Sequence, residues 1–382
     1  MRYRSFGKDG WKASVLGFGA MRLPSKSDGS VDELASIRLI RSGVDKGINY
    51  IDTAYIYHNG KSEGIVGKAL KDGYREKVRV ATKSPGFCIA TTDDFDRILD
   101  EQLARLDMPY IDYYLFHGIG EVGLQQIQNL NLFTRMENAK KNGKIRNIGF
   151  SFHDGAQAFK KIIDTYDGWE FCQIQYNYMD IKNQAGTEGL RFAASKKIDV
   201  VVMEPLLGGR LAKPPKPIAR LFQQYGSQYT PAEWSLQWIW NHPEVSIILS
   251  GMNAVEQLDE NCAAADRAAV GLLDNNDLAF IDRVRSEFSK RIVIPCTKCR
   301  YCMPCLSGVD IPWNLEQYNE GIIYGDSSAP RFVYNTFIKP ENRAAACTGC
   351  KACEARCPQK IAISEWMPQI KEVLGDGKPY PQ

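Results

Sequence analysis

The sequence predicts a closed (β/α)8 barrel over residues 1–290, followed by a small, mainly helical domain over residues 291–382. Two observations predict this division. Short apolar segments alternate with amphipathic segments through the first part, and eight of the 11 cysteines fall between Cys296 and Cys357. A length of 382 residues also exceeds that of a typical single domain.

The barrel is predicted by eight candidate strands, which are short and apolar nearly throughout, as strands buried on both faces are. They recur about every 30 residues, the length of one βα unit. They are Ser14–Gly19, Tyr50–Ala54, Val78–Lys83, Ile111–His117, Ile145–Ser151, Phe171–Asn177, Asp199–Pro205 and Val245–Gly251. An open doubly wound sheet is disfavoured, because Gly17-Phe18-Gly19 lacks the third glycine of a dinucleotide-binding fingerprint.

The segments between the strands have the apolar spacing of helices with one buried face, as Phe95, Ile98, Leu99 and Leu103 illustrate. Before the first strand, Gly7-Lys8-Asp9-Gly10 predicts a hairpin that closes the bottom of the barrel. Two helices are predicted after the eighth strand, at Ala254–Asp266 and Asn276–Lys290.

Composition excludes some classes of function. The chain has 48 basic and 45 acidic residues, a net charge of +3 and no basic run, so we expect no nucleic-acid binding. Met1-Arg2-Tyr3-Arg4 lacks the apolar stretch of a signal peptide, and no apolar run approaches the roughly 18 residues of a membrane span. We therefore expect a cytoplasmic protein without a membrane segment.

Four ionisable residues fall at or just after the ends of consecutive strands, where barrel enzymes carry their active sites: Asp52, Tyr57, Lys83 and His117. They suit proton transfer to a carbonyl oxygen while hydride reaches its carbon. A phenol with a pKa near 10 is a poor acid unless a cation stabilises its phenolate. Lys83 is that cation in this interpretation, with Asp52 orienting the lysine and His117 aligning the carbonyl.

These residues resemble the aldo-keto reductase family. Asp52-Thr53-Ala54-Tyr55-Ile56-Tyr57 is similar to its Asp-x4-Tyr motif, and Ala81-Thr82-Lys83 and Tyr114-Leu115-Phe116-His117 are similar to its Lys and His motifs. The resemblance covers about residues 1–290 and implies a TIM barrel. It also implies that Tyr57 is the general acid/base, Lys83 tunes it, Asp52 supports Lys83, and His117 orients a carbonyl or alcohol substrate.

The resemblance further implies a bound nicotinamide dinucleotide, NADP(H) or NAD(H). Ser151 and Gln173 would meet the carboxamide end, with Met203 at the place of a stacking Tyr. The implied contacts of the pyrophosphate and the adenosine half are Pro205, Leu206, Gly208, Gly209, Arg210, Ser250, Gly251, Met252, Glu256, Gln257 and Asn261. A helix N-terminus near Ala254 offers N–H groups to phosphate.

The sequence departs from the family pattern in three respects. Phe152 follows Ser151 where Asn is usual, and Met203 replaces the Tyr. Gly251-Met252 and Gln257 replace residues that many members use to bind a 2′-phosphate. The choice between NAD and NADP therefore stays open, with Arg210 as an alternative source of positive charge.

The tail contains two cysteine runs. They are Cys296, Cys299, Cys302 and Cys305, then Cys347, Cys350, Cys353 and Cys357. The second run, ending in Cys357-Pro358, has the bacterial ferredoxin spacing in which the fourth cysteine serves the other [4Fe–4S] cluster. This predicts Cys296, Cys299, Cys302 and Cys357 on one cluster, and Cys347, Cys350, Cys353 and Cys305 on the other. Structural zinc is the alternative. The tail resembles dicluster ferredoxin-like domains found fused to aldo-keto reductases.

Three functions follow from the combination. The first is an NAD(P)-dependent carbonyl reductase or alcohol dehydrogenase whose clusters relay electrons to or from a carrier such as ferredoxin or flavodoxin. That coupling needs a group, such as a flavin or a redox-active substrate, that accepts two electrons together and passes them on one at a time. The sequence does not indicate a flavin. The second is the same enzyme with structural or redox-sensing clusters. The third is a non-catalytic redox sensor that binds nucleotide.

Overall fold

The structure is a computed structural model that describes residues 1–296, 298 and 300–381. It confirms the predicted closed barrel of eight parallel strands, preceded by an antiparallel hairpin. The hairpin strands are β1 Tyr3–Phe6 and β2 Trp11–Ser14. The barrel strands are β3 Leu16–Gly19, β4 Tyr50–Asp52, β5 Arg79–Ser84, β6 Ile111–Ile119, β7 Ile145–Phe152, β8 Phe171–Gln175, β9 Asp199–Met203 and β10 Val245–Ser250.

Helices alternate with the barrel strands in chain order, and further helices make up the tail. Up to residue 266 they are α1 Glu33–Asp45, α2 Ser62–Ala69, α3 Thr92–Leu106, α4 Glu121–Asn129, α5 Leu132–Lys141, α6 Ala156–Thr165, α7 Gly186–Ser195, α8 Lys216–Tyr225, α9 Pro231–Trp240 and α10 Val255–Asp266. The others are α11 Asn275–Ser289, α12 Ile311–Tyr324, α13 Ser328–Thr336, α14 Ala352–Ala355 and α15 Ile363–Ile370.

All eight strands have bounds that differ from the prediction by one or two residues, and the structure gives a clear reason for three of these differences. Ser14 pairs with Tyr3 in the hairpin, so the first barrel strand begins only at Leu16. Strand β6 continues past His117, because its pairing with β7 resumes at Ile119 opposite Phe152. Strand β9 stops at Met203, because Glu204 takes a left-handed φ of 54° that ends the extended backbone.

The hairpin lies against the barrel core. The ring of Phe6 is fully buried, with ring centroids of Tyr50, Tyr113 and Phe171 at 5.7, 4.8 and 5.8 Å. Phe6 and Ala13 share one apolar cluster with inward side chains of the barrel strands, such as Val201. The hairpin therefore closes the end of the barrel opposite the carboxyl ends of the strands, as predicted.

Phe6→Ala is expected to lower the free energy of unfolding of the barrel by about 3–5 kcal/mol, because it removes a buried aromatic side chain from a packed core. Urea unfolding followed by tryptophan fluorescence measures the change. Ser5→Ala, at an exposed position of the same strand, is the control and should stay within about 0.5 kcal/mol of the parent. Equal stability of the two variants would contradict the assigned role of the hairpin.

The chain divides into two compact units: Met1–Ala212 with Gln228–Leu278, and Lys213–Ser227 with Ala279–Gln382. The second unit has its own apolar core, which includes Leu315, Tyr318, Met367 and Ile370. A domain boundary at residue 290 stays a prediction. None of the described helices has both the length and the apolar character needed to cross a membrane.

Candidate functional site

Strand register brings three of the predicted residues into the barrel interior. Asp52 lies opposite Ala81, whose side chain belongs to the interior core. Lys83 is two residues beyond Ala81, and His117 is two residues beyond Leu115, which lies opposite Lys83 and also faces the core. Because side chains two apart on a strand share a face, Lys83 and His117 both project into the carboxyl end of the barrel.

Lys83 is the centre of this group. Its Nζ donates to Asp52 Oδ1 at 2.6 Å, to the carbonyl oxygen of Thr53 at 2.8 Å and to Tyr57 Oη at 3.4 Å, and its side chain is 1% exposed. Burial acts to lower the pKa of Lys83, but the carboxylate of Asp52 and the phenol of Tyr57 outweigh it and raise that pKa. Lys83 is therefore charged at neutral pH.

Tyr57 lies in the turn between β4 and α2, where His58, Asn59 and Gly60 all have positive φ. Its ring is 4.9 Å from Lys83 Nζ, measured to the centroid. Burial raises the pKa of Tyr57, and Lys83 opposes that rise without cancelling it. In this structure Tyr57 is thus a protonated phenol, and Lys83 stabilises the phenolate that forms when the proton leaves.

His117 lies edge-to-face against Tyr57, with ring centroids 6.0 Å apart. Its Nδ1 is buried and has no hydrogen-bond partner among the described residues. Burial, with a smaller contribution from Lys83, lowers the pKa of His117 to about 3. The imidazole is neutral and suited to hydrogen-bonding a carbonyl oxygen without gaining a proton.

Two residues near this group, Phe87 and His153, were not predicted from the sequence. The ring of Phe87, in the turn after β5, is 6.0 Å from that of His117 and is 66% exposed. His153 follows β7 and lies near enough to influence the pKa of His117. Their positions in loops just beyond strand ends were the available signal, and His153 is one of only four histidines.

The residues implied for the carboxamide end come together on neighbouring strands. Ser151 lies opposite Gln173 in the β7–β8 pairing, and Ser151 Oγ accepts a hydrogen bond from the Gly118 N–H at 2.7 Å. Gln173 Nε2 is 3.8 Å from Met203 Sδ, while Gln173 Oε1 is buried without a partner among the described residues. An unpaired buried acceptor beside a hydroxyl fits a carboxamide ligand, because such acceptors are costly unless paired.

The loop after β9 has an unusual backbone. Glu204, Leu207, Gly208 and Gly209 have φ of 54°, 49°, 68° and 93°, of which only the two glycines adopt such values without strain. Strained backbone of this kind is concentrated at binding sites. Pro205 and Leu206 lie within this loop, and Arg210 follows it.

Arg22 is a further residue that sequence analysis missed. Its Nη2 is 3.4 Å from Glu204 Oε1, and a Cβ added to Gly208 would lie 3.3 Å from the same nitrogen. A Cβ added to Gly251 would also meet the Arg22 side chain at 3.2 Å. Arg22 thus adds positive charge between the two glycine-containing segments implied for the nucleotide.

Only some of the residues implied for the adenosine half have side chains that are free to contact a nucleotide. Asn261 Nδ2 donates to Ser250 Oγ at 3.0 Å, and both side chains are buried. Gln257 Oε1 accepts from the Asn253 N–H at 2.9 Å, and Met252 is 1% exposed, inside the core. Glu256 is exposed, and α10 begins after Ala254 without a side-chain cap, which leaves N–H groups available.

In the tail, the structure brings together the described members of the first predicted cysteine set. Cys296, Cys302 and Cys357 line one cavity with Arg300 and Gln359. Cys299, the fourth member, lies outside the described residues. The cavity walls also include apolar side chains from α12, such as Leu315. Three thiols around one cavity fit a [4Fe–4S] cluster.

Cys353 of the second predicted set lies near two other members of that set, Cys305 and Cys347. Burial raises the pKa of Cys353, and the nearby Cys305 and Cys347 thiols add to the rise. Cys350 is exposed, and no disulfide involves these four residues. No three Cys, His, Asp or Glu side chains converge on a single metal ion within the described parts of the chain.

The two runs share a backbone pattern. Cys296 Sγ accepts from the Lys298 N–H, and Cys347 Sγ accepts from the Gly349 N–H, each at 3.5 Å. The residues after the second cysteines, Arg300 and Lys351, have φ of 60° and 59°. Loops of this kind turn N–H groups toward a common centre and stabilise anionic groups.

Comparisons with known proteins identify a known family for the barrel and a known domain for the tail. The Aldo/keto reductase family matches residues 15–285, and the 4Fe-4S dicluster domain matches residues 295–362. L-galactose dehydrogenase of Arabidopsis thaliana is 28% identical over 306 residues, covering 74% of this chain and 93% of that protein. Aldo-keto reductase YhdN of Bacillus subtilis is 36% identical over 160 residues, covering 40% of this chain and 47% of its own length.

Solved structures give the same result. Aldo-keto reductase AKR11C1 of Bacillus halodurans, in its holo form, is 25% identical with a TM-score of 0.62, over 74% of this chain and 96% of that one. An aldo-keto reductase of Klebsiella pneumoniae in complex with NADPH is 25% identical with a TM-score of 0.60, over 75% and 96%. The chain therefore belongs to the aldo/keto reductase family of oxidoreductases and carries a 4Fe-4S dicluster domain after its barrel.

Proposed function

We propose that the barrel reduces a small carbonyl compound with NADPH or NADH, or oxidises the corresponding alcohol, and that two [4Fe–4S] clusters in the tail exchange electrons with an external carrier. The observation that carries the barrel part is Lys83, buried and charged, with Asp52 at 2.6 Å and Tyr57 at 3.4 Å. A family neighbour in complex with NADPH supports a nicotinamide dinucleotide as the hydride donor.

The reduced nicotinamide, when bound, supplies the hydride. Tyr57 donates the proton from Oη to the carbonyl oxygen, and Lys83 stabilises the phenolate that remains. Asp52 holds Lys83 charged, while the neutral imidazole of His117 hydrogen-bonds the same oxygen and fixes its position. Ser151 and Gln173 orient the carboxamide, and the loop of Pro205, Leu206, Gly208, Gly209 and Arg210 holds the phosphates. In the oxidation direction Tyr57 accepts the proton instead.

Arg22 also faces these phosphates in this proposal. Its guanidinium lies beside Gly208 and Gly251, and it supplies charge where the usual 2′-phosphate residues are replaced. Of the other residues, Ser250, Met252, Gln257 and Asn261 shape the segment before and within α10, while Gly251 and Glu256 remain accessible to the adenosine half.

The proposal is tested by anaerobic turnover. The protein is purified with oxidised clusters, and NADPH and NADH are mixed with a panel of aldehydes and ketones while nucleotide and cluster absorbance are followed separately. We expect nucleotide oxidation that depends on the carbonyl. A protein that binds neither nucleotide would overturn the barrel assignment.

Carbonyl reduction is expected to proceed at constant rate from about pH 6 to about pH 9. The reaction uses the protonated form of Tyr57, whose pKa is raised by burial, so the rate falls only at higher pH as the proton is lost. His117, with a pKa of about 3, stays neutral across this range. The pH dependence of kcat measures this; an acidic limb near pH 6.5 that disappears in His117→Gln would contradict it.

A further inference from the structure

His58 follows Tyr57 directly in the turn between β4 and α2. Its Nε2 accepts a hydrogen bond from the Leu23 N–H at 3.1 Å, across 35 residues of sequence. Burial lowers the pKa of His58, and a backbone hydrogen bond to Met21 opposes that effect only in part. The ring is therefore neutral at neutral pH, with Nε2 free of a proton and able to accept this bond.

The backbone of His58 lies in the left-handed region. Its φ is 51°, and Asn59 and Gly60 follow with 55° and 82°. Glycine adopts such angles freely, whereas other residues are strained there. Strained residues persist where their surroundings hold them. Since a glycine at position 58 would form this backbone without strain, the imidazole contributes its bond to Leu23 and not the shape of the turn.

The turn that carries Tyr57 is hydrogen-bonded within itself. The Tyr57 N–H donates to the Ala54 carbonyl oxygen at 3.1 Å. The Tyr57 carbonyl oxygen accepts from the Gly60 and Ser62 N–H groups at 3.1 and 3.2 Å. Because these bonds join Tyr57 to the rest of the turn, a contact that holds the turn also holds Tyr57.

Two side chains attach this turn to the segment after β3, residues 20–23. Ser62 Oγ donates to the Ala20 carbonyl oxygen at 3.0 Å, and His58 accepts from Leu23. Arg22 lies between these two points of attachment in the sequence. The segment that carries a proposed phosphate contact therefore also holds the turn that carries the proposed acid.

We propose that His58 is a positioning residue for carbonyl reduction, which acts by fixing Tyr57 through its bond to Leu23. Bound nucleotide orders residues 20–23 through Arg22, and the same bond transmits that order to the turn. This inference rests on the proposed function and adds to it a residue that links nucleotide binding to proton donation. His58 transfers no proton and acts only through Tyr57.

The geometry of the site makes Tyr57 sensitive to the position of its turn. Tyr57 Oη is 3.4 Å from Lys83 Nζ, which is long for a hydrogen bond, so a small displacement of the turn loses the contact. A displacement of about 1 Å can lower a rate by about 10²-fold. Loss of the His58 bond should therefore have a smaller effect than loss of the phenol itself.

Two variants of His58 test the role of its acceptor. His58→Leu removes the acceptor, and His58→Gln keeps one, because the glutamine Oε1 reaches about the position of Nε2. We expect His58→Leu to lower kcat about 10- to 100-fold and His58→Gln to stay within about threefold of the parent. The Kd for NADPH should rise about fivefold in His58→Leu. Lys61→Ala, at an exposed residue of the same turn, is the matched control and should behave as the parent.

A double variant separates positioning of Tyr57 from a role in stability alone. In the Tyr57→Phe background, His58→Leu should lower kcat by less than about twofold further, because the hydroxyl that it positions is absent. A purely structural role would lower kcat by the same factor in both backgrounds. That outcome would overturn the inference, as would a loss of kcat in His58→Gln equal to that in His58→Leu.

Amide hydrogen exchange tests the link without turnover. In the anaerobic, cluster-loaded protein, NADPH should slow exchange at residues 20–23 and at residues 57–62. In His58→Leu the slowing at residues 57–62 should be weaker than in the parent, and equal slowing there would overturn the link. A parent that shows this exchange pattern but oxidises NADPH with no carbonyl would overturn the proposed function and not the link, so the two failures are distinguishable.

Discussion

Replacing Tyr57 by phenylalanine should lower kcat for carbonyl reduction by about 10²- to 10⁴-fold, the usual contribution of a positioned general acid. The change removes one oxygen, 3.4 Å from Lys83 Nζ, and leaves the ring in place. The Kd for NADPH should stay within about twofold, because Tyr57 has no proposed nucleotide contact. Steady-state kinetics and fluorescence titration measure the two quantities. Undiminished turnover would show that Tyr57 is not the general acid of the reaction.

The Lys83 variants separate chemistry from stability. Lys83→Met leaves the Asp52 carboxylate buried without its partner, which typically costs about 3–5 kcal/mol of stability. Adding Asp52→Asn removes that buried charge and should restore most of the stability without restoring kcat. Thermal unfolding and turnover of the single and double variants make the comparison. Recovery of turnover with stability would show that the pair has only a structural role.

Cys305 and Cys357, the last cysteine of each run, are predicted to bind the cluster of the other run. Replacing either one should therefore remove one cluster. Cys357→Ala should lower iron from about eight to about four per chain, because a cubane requires four ligands. Cys357→Ala combined with Cys302→Ala should lose no more, since both belong to one set. Cys357→Ala combined with Cys353→Ala should lose both clusters. Iron analysis and electron paramagnetic resonance of the reduced protein count the clusters.

Cys88→Ala is the control for these variants, because Cys88 is exposed in the turn after β5 and outside the tail. It should keep about eight irons. If Cys357→Ala with Cys302→Ala lost both clusters, the crossed pairing would be wrong. Zinc in place of iron after anaerobic reconstitution would favour the structural-zinc alternative.

The barrel was predictable because its signals are local. Buried parallel strands are short apolar runs, and eight of them at regular spacing leave few alternatives. The inward positions of three of the four candidate catalytic residues follow from strand register alone. Asp52, Lys83 and His117 each lie two residues beyond a side chain of the barrel core. Tyr57 lies in a turn, and only the spacing Asp-x4-Tyr indicated it.

Other features depend on contacts that no local pattern encodes. Arg22 approaches Gly208 and Gly251 across about 190 and 230 residues of sequence. The bond between Ser250 and Asn261, and the burial of Met252, emerge only when α10 packs on the barrel. The net pKa of Tyr57 also depends on the folded structure. Lys83 lowers this pKa, as expected, but burial raises it by more.

Deuterium transfer tests the central claim most directly. NADPH deuterated at the transferring position of C4 is mixed anaerobically with the protein and a reducible aldehyde, and the alcohol product is examined by mass spectrometry and NMR. The account predicts one deuterium on the carbinol carbon, formed at a rate that Tyr57→Phe lowers by about 10²- to 10⁴-fold. Product without deuterium at that carbon, formed as the cluster absorbance bleaches, would contradict hydride transfer in the barrel.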